Sequence, residues 1–274
     1  TQGEETGKFI IRASNAGEVT IYVDFKTKVT ADIQFLDEGN SNSVIQSTEK
    51  YFMPGNKYSE MCAVVVMISG GYDTIEKSDS SNGYKYLEKY AIGVTTNGST
   101  IDISNDPNNE TLLQSGDTIT VTLYYRKIIQ VTLNMSASAK YTHKFGWTSV
   151  SEQDKIEYFS INEISIPANN WYLISNTEWS LNNNSATTLT IPDTPKVFYI
   201  LQGGTFKVTI NSITITLKYL GSSKSHTFTP PAPSSCSNCS NTTLNGSDST
   251  VYTFVSNSAG NIEVTWSGQE TYSD

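Results

Sequence analysis

Between Gly116 and Met135 the chain reads GDTITVTLYYRKIIQVTLNM, and eight of its apolar residues fall on odd numbers. Ile119, Val121, Leu123 and Tyr125 precede the polar pair Arg126–Lys127, while Ile129, Val131, Leu133 and Met135 follow it. Side chains of a strand point alternately to two faces, so an unbroken period of two puts all eight on one surface. A two-residue turn at Arg126–Lys127 would set Leu123 opposite Gln130 and lay an apolar residue beside a polar one. The phase therefore requires a three-residue loop or a single long strand running straight through.

Three further segments share the opening glycine and the alternation: 17–35, 203–220 and 260–267. The first keeps one parity, from Val19 to Phe35, around the polar centre Lys26-Thr27-Lys28. That centre lies about 100 residues before Arg126–Lys127, which suggests two similar units parted near SNDPNNE (104–110). In the third segment the apolar positions move from even (Phe206, Val208, Ile210) to odd (Ile213, Ile215, Leu217). A β-hairpin turning at Asn211–Ser212 would explain that shift, since it pairs Ile210 with Ile213 on one face. Strands are also expected at 8–12, 61–69, 90–95, 157–166, 171–175, 196–201 and 251–255. Helix is expected only after Asp106-Pro107, where proline suits a first helical position.

Many short strands punctuated by Gly, Asn and Pro define an all-β fold of two antiparallel β-sandwich units, Ig-like or jelly-roll-like. The expected division is a sandwich over 1–110, a second over 111–229, and a Pro/Ser/Asn-rich linker with two terminal strands over 230–274. The linker (229–249) has a composition that cannot make a core. A lone two-stranded ribbon is marginal in water, so the terminal strands must complete a larger sheet. An adjacent subunit is the expected host, and removing 230–274 should then leave a folded body unable to assemble.

Serine, threonine and asparagine supply about a third of the residues, only 16% are charged, and the net charge is -9. With two arginines, such a chain lacks the cationic face that phosphate backbones require, which sets nucleic acid and acidic membrane surfaces aside. No apolar run reaches the ~18 residues of a membrane span, so no membrane insertion is expected. The chain starts at Thr1 without methionine and reads as a processed, exported protein, extracellular or displayed on a cell or virion surface.

Cysteines are three. Cys62 lies in the apolar run and reads as a small buried hydrophobe. Cys236 and Cys239 form a C-x-x-C with no second pair to complete a zinc shell, and are expected to bond to each other.

Residues that could carry chemistry are few. His143 and His226 lie in polar surroundings with no nucleophile elbow, and read as surface histidines. Glu152, Asp154, Glu157 and Glu163 could supply a carboxylate pair but read more simply as a solvated strand face. Gly70–Gly71 and Gly203–Gly204 read as turns, since neither precedes the lysine of a phosphate loop. The oxygen-rich loops 73–82 and 102–110 lack the calcium-loop pattern. An isopeptide between a buried lysine and an asparagine would suit a surface β domain, but no residues locate it. No catalytic residue, cofactor or metal site is assigned, and no enzyme activity is expected.

Sequons fall at Asn97, Asn109, Asn134, Asn183, Asn238, Asn241 and Asn245. A chain this rich in Asn, Ser and Thr produces about that many by chance, but the last three cluster inside the linker, where glycans would shield it. Tryptophans 147, 171, 179 and 266, with tyrosines such as Tyr84, Tyr86 and Tyr90, permit a stacking platform for sugars, although alternating aromatics more often form core.

Together these features predict an extracellular structural subunit that self-assembles by strand exchange into a filament or surface coat. Its build is similar to that of pilus and thread subunits joined by donor strands. The expected partners are other copies of the chain, with glycans a further class. The alternative is an adhesin, a carbohydrate-binding surface module, or a virion capsid or spike protein.

Overall fold

The structure is a computed structural model, and it describes residues 28–61, 83–104, 106, 108–151, 156–174, 178–191 and 195–274. The expected strand at 8–12, residues 17–27 of the first alternating segment, the expected strand at 61–69 beyond Met61, Cys62, Glu152, Asp154, Gly70–Gly71 and the 73–82 loop lie outside the described residues. Met61 itself ends a described helical turn, 58–61.

The described elements are almost entirely strands. They begin with β1 (Val29–Asp37), β2 (Ser43–Phe52), β3 (Tyr84–Thr96), β4 (Ser99–Asp102) and β5 (Thr118–Phe145). Then come β6 (Thr148–Ser151), β7 (Glu157–Tyr158), β8 (Ile161–Ile166), β9 (Trp171–Leu173), β10 (Ser180–Leu181) and β11 (Thr187–Leu189). The last third holds β12 (Lys196–Leu201), β13 (Thr205–Asn211), β14 (Ile213–Tyr219) and β15 (Ser222–Phe228). It closes with β16 (Ser235–Ser237), β17 (Cys239–Asn245), β18 (Ser249–Ser256) and β19 (Ile262–Ser273). One 3-10 turn, Glu38–Asn40, is capped by Asp37. Among the described residues, 108–111 carry no helix where one was expected, and Asn109 Oδ1 accepts from the Thr111 amide in a local turn. The fold is all-β and sandwich-like.

β5 is the spine. Of the two forms its phase allowed, the single strand is the one adopted, with a contour of roughly 90 Å at about 3.3 Å per residue. Along one edge β1 pairs in parallel, from Ala31 opposite Ile119 to Asp37 opposite Tyr125, and farther on β19 does the same. Along the other edge β3, β12, β7 and β6 pair antiparallel in succession.

Two hydrophobic clusters adjoin along this spine. The first gathers Val29, Ala31, Ile33 and Phe35 of β1, Ile92 and Val94 of β3, and Ile119 to Tyr125 of β5. It takes residues from both sides of the expected division at 110. The second places the far half of β5, with β12 and β19, against a five-stranded sheet ordered β11-β8-β13-β18-β17 and the hairpin β14–β15. Aromatic rings cross that gap in sequence. Phe198 meets Phe206 edge-on at 5.3 Å, Phe206 stacks on Phe254 at 5.0 Å, and Phe254 meets Trp266 edge-on at 5.8 Å. Each such pair adds about 0.5–1.5 kcal/mol beyond its buried area.

Three expectations are corrected here. The 203–220 segment is no hairpin: β13 pairs with β8 and β18, whereas β14 pairs with β15. The chain turns a corner at Ser212, whose amide donates to the Asp248 carbonyl at 2.8 Å. A strand that leaves one sheet for another must switch parity to keep facing the same core, which is also what a two-residue turn demands. The linker is no linker either. It contributes β16 and β17, and β17 is an exposed edge strand held by backbone bonds to β18. Such a strand buries almost nothing, so its polar composition costs little. Finally, the terminal strands find their partners within the chain. β18 lies between β13 and β17, β19 lies on β5, and Ile262, Val264 and Trp266 are fully buried.

Candidate binding face at the β5–β6 end

Past Ala139 the inward side chains of β5 change character while keeping their odd phase: Tyr141, His143, Phe145. β19 runs alongside in parallel, so Tyr272 sits opposite Tyr141 with ring centres 5.5 Å apart. Asp274 follows, its carboxylate against His143 Nδ1 and accepting from the Lys144 amide at 3.3 Å. The hairpin β14–β15 covers this end. Its register sets Leu217 opposite Lys224, Ile215 opposite His226 and Ile213 opposite Phe228, on the core side.

The rings interlock. His226 stacks on Tyr272 at 3.9 Å, meets Phe228 edge-on at 4.7 Å and lies 5.6 Å from Tyr141. His143 meets Phe145 edge-on at 5.1 Å, and Phe145 lies 5.8 Å from Tyr219. Both histidines of the chain therefore belong to one aromatic cluster, where polar surface had been expected; the His143 side chain is only 12% exposed. The signal was present in the alternation of Tyr141, His143 and Phe145, which extends the phase of β5. Burial, then the Asp274 charge and Tyr272, raise the Tyr141 hydroxyl above its ordinary pKa, so it stays protonated and neutral.

Two hairpin tips crown the cluster. Phe145 pairs with Thr148 across the loop Gly146–Trp147, with Gly146 at φ 63°. Tyr219 pairs with Ser222 across Leu220–Gly221, at φ 46° and 80°, the two positive values of a type I′ turn. A cleft of about 370 Å³ lies between them, lined by His143, Lys144, Phe145, Tyr219, Leu220 and Lys224 among others. Trp147 is 106% exposed and Leu220 87%.

The remaining tryptophans serve otherwise. Trp266 is core, Lys85 lies over the Trp171 ring at 5.0 Å, and Trp179 is half-buried. Tyr86 packs on Tyr125 at 5.4 Å, and Tyr84 and Tyr90 lie against the first cluster. Of the expected platform, only Trp147 faces solvent freely.

Cys236 and Cys239 are bonded to each other. The bond joins β16, on the large sheet, to β17, on the five-stranded sheet. Among the sequons, Asn97 stands exposed in the Asn97–Gly98 turn between β3 and β4, and Asn183, Asn241 and Asn245 are exposed. Asn134 donates to Glu263 at 3.2 Å and Asn109 caps Thr111. Asn238, though exposed, donates to the Asn261 carbonyl at 2.8 Å and accepts from Ser258 at 2.9 Å. Glu157 and Glu163 lie on different strands, β7 and β8. Asp102 accepts from the Ser104 amide and hydroxyl, which lowers its pKa, and so caps its own turn. Gly203 takes φ 77° in the turn closed by the Gly204 amide on the Leu201 carbonyl. No group of three or more metal-ligating side chains gathers among the described residues.

A second cleft, about 350 Å³, opens at the middle of β5 beside Gly39, Arg126, Gln202 and Asn257. Its ionic part is a clasp: Glu38 binds Arg126 and, at 2.8 Å, Lys89. First the Lys89 hydrogen bond and then Arg126 hold the Glu38 carboxyl below its usual range. Both cations are thereby committed to joining the 3-10 turn to the strands.

No family model, curated protein or solved structure matches the chain, so its function is read from this geometry.

Proposed function

We propose that the protein is an extracellular, non-enzymatic β protein with an attachment role: a stiff body, organised along one continuous strand, that holds a contact face at its β5–β6 end. The observation that carries this reading is Trp147, a large aromatic left wholly in solvent on a two-residue hairpin whose base is locked by packed rings. Tryptophan is enriched among the residues that dominate binding interfaces, and here it stands beside a second exposed apolar side chain, Leu220. The histidines support it too, since both are used in packing. A binding screen against a glycan array and against whole cells, with the native protein and Trp147→Ser/Leu220→Ser, tests the reading. Binding that the double substitution abolishes supports it; binding that survives intact overturns it.

Self-assembly into a filament or coat is the second reading. Its support is now the outer edges of β2 and β17, unpaired among the described residues, in place of the terminal strands. Negative-stain microscopy of native material distinguishes fibres from separate particles.

A further inference from the structure

We infer that the paired tips Gly146–Trp147 and Leu220–Gly221 dock the protein onto a lipid bilayer carrying anionic headgroups. The inference rests on the attachment reading and names its partner.

The shape of the site favours a lipid surface over a saccharide. A sugar-stacking aromatic offers one ring face and is backed by protein on the other. Trp147 is 106% exposed, so both of its faces are in water. Leu220, 87% exposed on the neighbouring tip, offers a sugar neither a ring nor a hydrogen bond. A bilayer interface accepts both, because indole settles at headgroup level and leucine enters the acyl boundary beneath. The two side chains sit on adjacent tips tied together below by the Phe145–Tyr219 contact, so they can enter a surface together.

Charge points the same way. Lys144, Lys218 and Lys224 are exposed around the tips and form no ion pair among the described residues. Among the described residues the acidic groups nearby are Asp274, engaged by His143, and, farther down, Glu270 and Glu157, which flank Ala139 from β19 and β7. Against a net charge of -9, this is a local cationic collar around an apolar point. The net charge argued against acidic membranes, but attraction acts within about a Debye length and is set by the local patch. Each lysine near an anionic surface contributes on the order of fivefold in partitioning.

Vesicle sedimentation with phosphatidylcholine alone and with phosphatidylcholine mixed with phosphatidylserine provides the test. The intact protein should bind the mixed vesicles at low salt and release as salt rises. Trp147→Ser/Leu220→Ser should lower the partition coefficient at least about tenfold, and Lys144→Gln/Lys224→Gln about twenty-five-fold on mixed vesicles alone. Both substitutions lie on exposed loops and strands, and an unchanged melting temperature verifies the fold. Absence of vesicle binding, or binding indifferent to the tip substitution, overturns the inference. If vesicles are ignored while a glycan is bound through the same tips, the lipid inference falls and the attachment reading stands. If every binding found is independent of the tips, both fall.

Discussion

The two halves of β5 are one strand with one phase, yet they are buried by different means. In the first half, β1 and β3 flank the strand, and the described cover over its inward face comes from outside the sheets: Tyr58 and Met61 of a helical turn, with Ile103 and Leu113 from irregular segments. Those segments hold each other through ladder-like bonds, such as Gly55 to Leu113, Leu113 to Asn56 and Tyr58 to Thr111. In the second half the cover is sheet on sheet, knitted by aromatic rings. The same alternating pattern thus says only that one face is buried. What buries it depends on chain segments far away in sequence.

The comparison breaks most visibly at the C-terminus. Deleting 230–274 removes β16 to β19, stripping the parallel partner from residues 131–142 of β5 and taking Trp266, Phe254 and Tyr252 from the core. The expected outcome is loss of cooperative folding, read as collapse of the near-ultraviolet circular dichroism. A folded truncated monomer would mean that the second core closes without β19.

A finer break comes from single core residues. Trp266→Ala and Phe35→Ala, one in each cluster, should each cost about 3–5 kcal/mol. Because β5 belongs to both clusters, the two should shift one shared denaturation transition, and hydrogen exchange at Val121 and Val131 should rise together. Two separate transitions would show that the strand does not couple the halves.

Smaller still is the clasp that ties the 3-10 turn to β3 and β5 at the middle of the spine. Glu38→Gln should cost about 0.5–1 kcal/mol at neutral pH. Because the folded Glu38 pKa is depressed below its ordinary 4.5, its contribution is present above that value and is lost as pH falls through the folded pKa. Wild type and variant should therefore converge in stability in acid. Asp37 beside it runs oppositely. Burial first of all raises its pKa, so its contribution is present below the ordinary 3.8 and lost as pH rises through the folded value. Denaturant titrations across the acid range measure both.

The smallest effect is expected at the corner. Asn211 ends β13 exposed and without a positive φ, so Asn211→Val should change stability by no more than about 0.5 kcal/mol. A hairpin turning at Asn211–Ser212 would instead be destabilised by valine, because a β-branched residue resists the positive φ of a type I′ turn. A loss of several kcal/mol would restore that reading.

Period-two alternation by itself determined the all-β class and the buried parity of β1, β5 and β13, because strand geometry ties parity to face with no help from elsewhere. It left Arg126–Lys127 as a three-residue loop or one through-going strand, and only the tertiary structure chose the strand. It also carried, unread, the Asn97–Gly98 hairpin signal and the extension of the β5 phase through His143. The pairing scheme was decided only in the tertiary structure. A parity switch means a hairpin or a sheet corner alike, and Ser212 became a corner because β8 and β18 take both edges of β13. Polar edge strands such as β2 and β17 leave no apolar trace, since backbone bonds to a neighbour suffice to hold them. The gathering of His143, His226, Tyr272 and Asp274 at one end likewise depends on β19 lying parallel to β5, a register set by packing between residues some 130 positions apart.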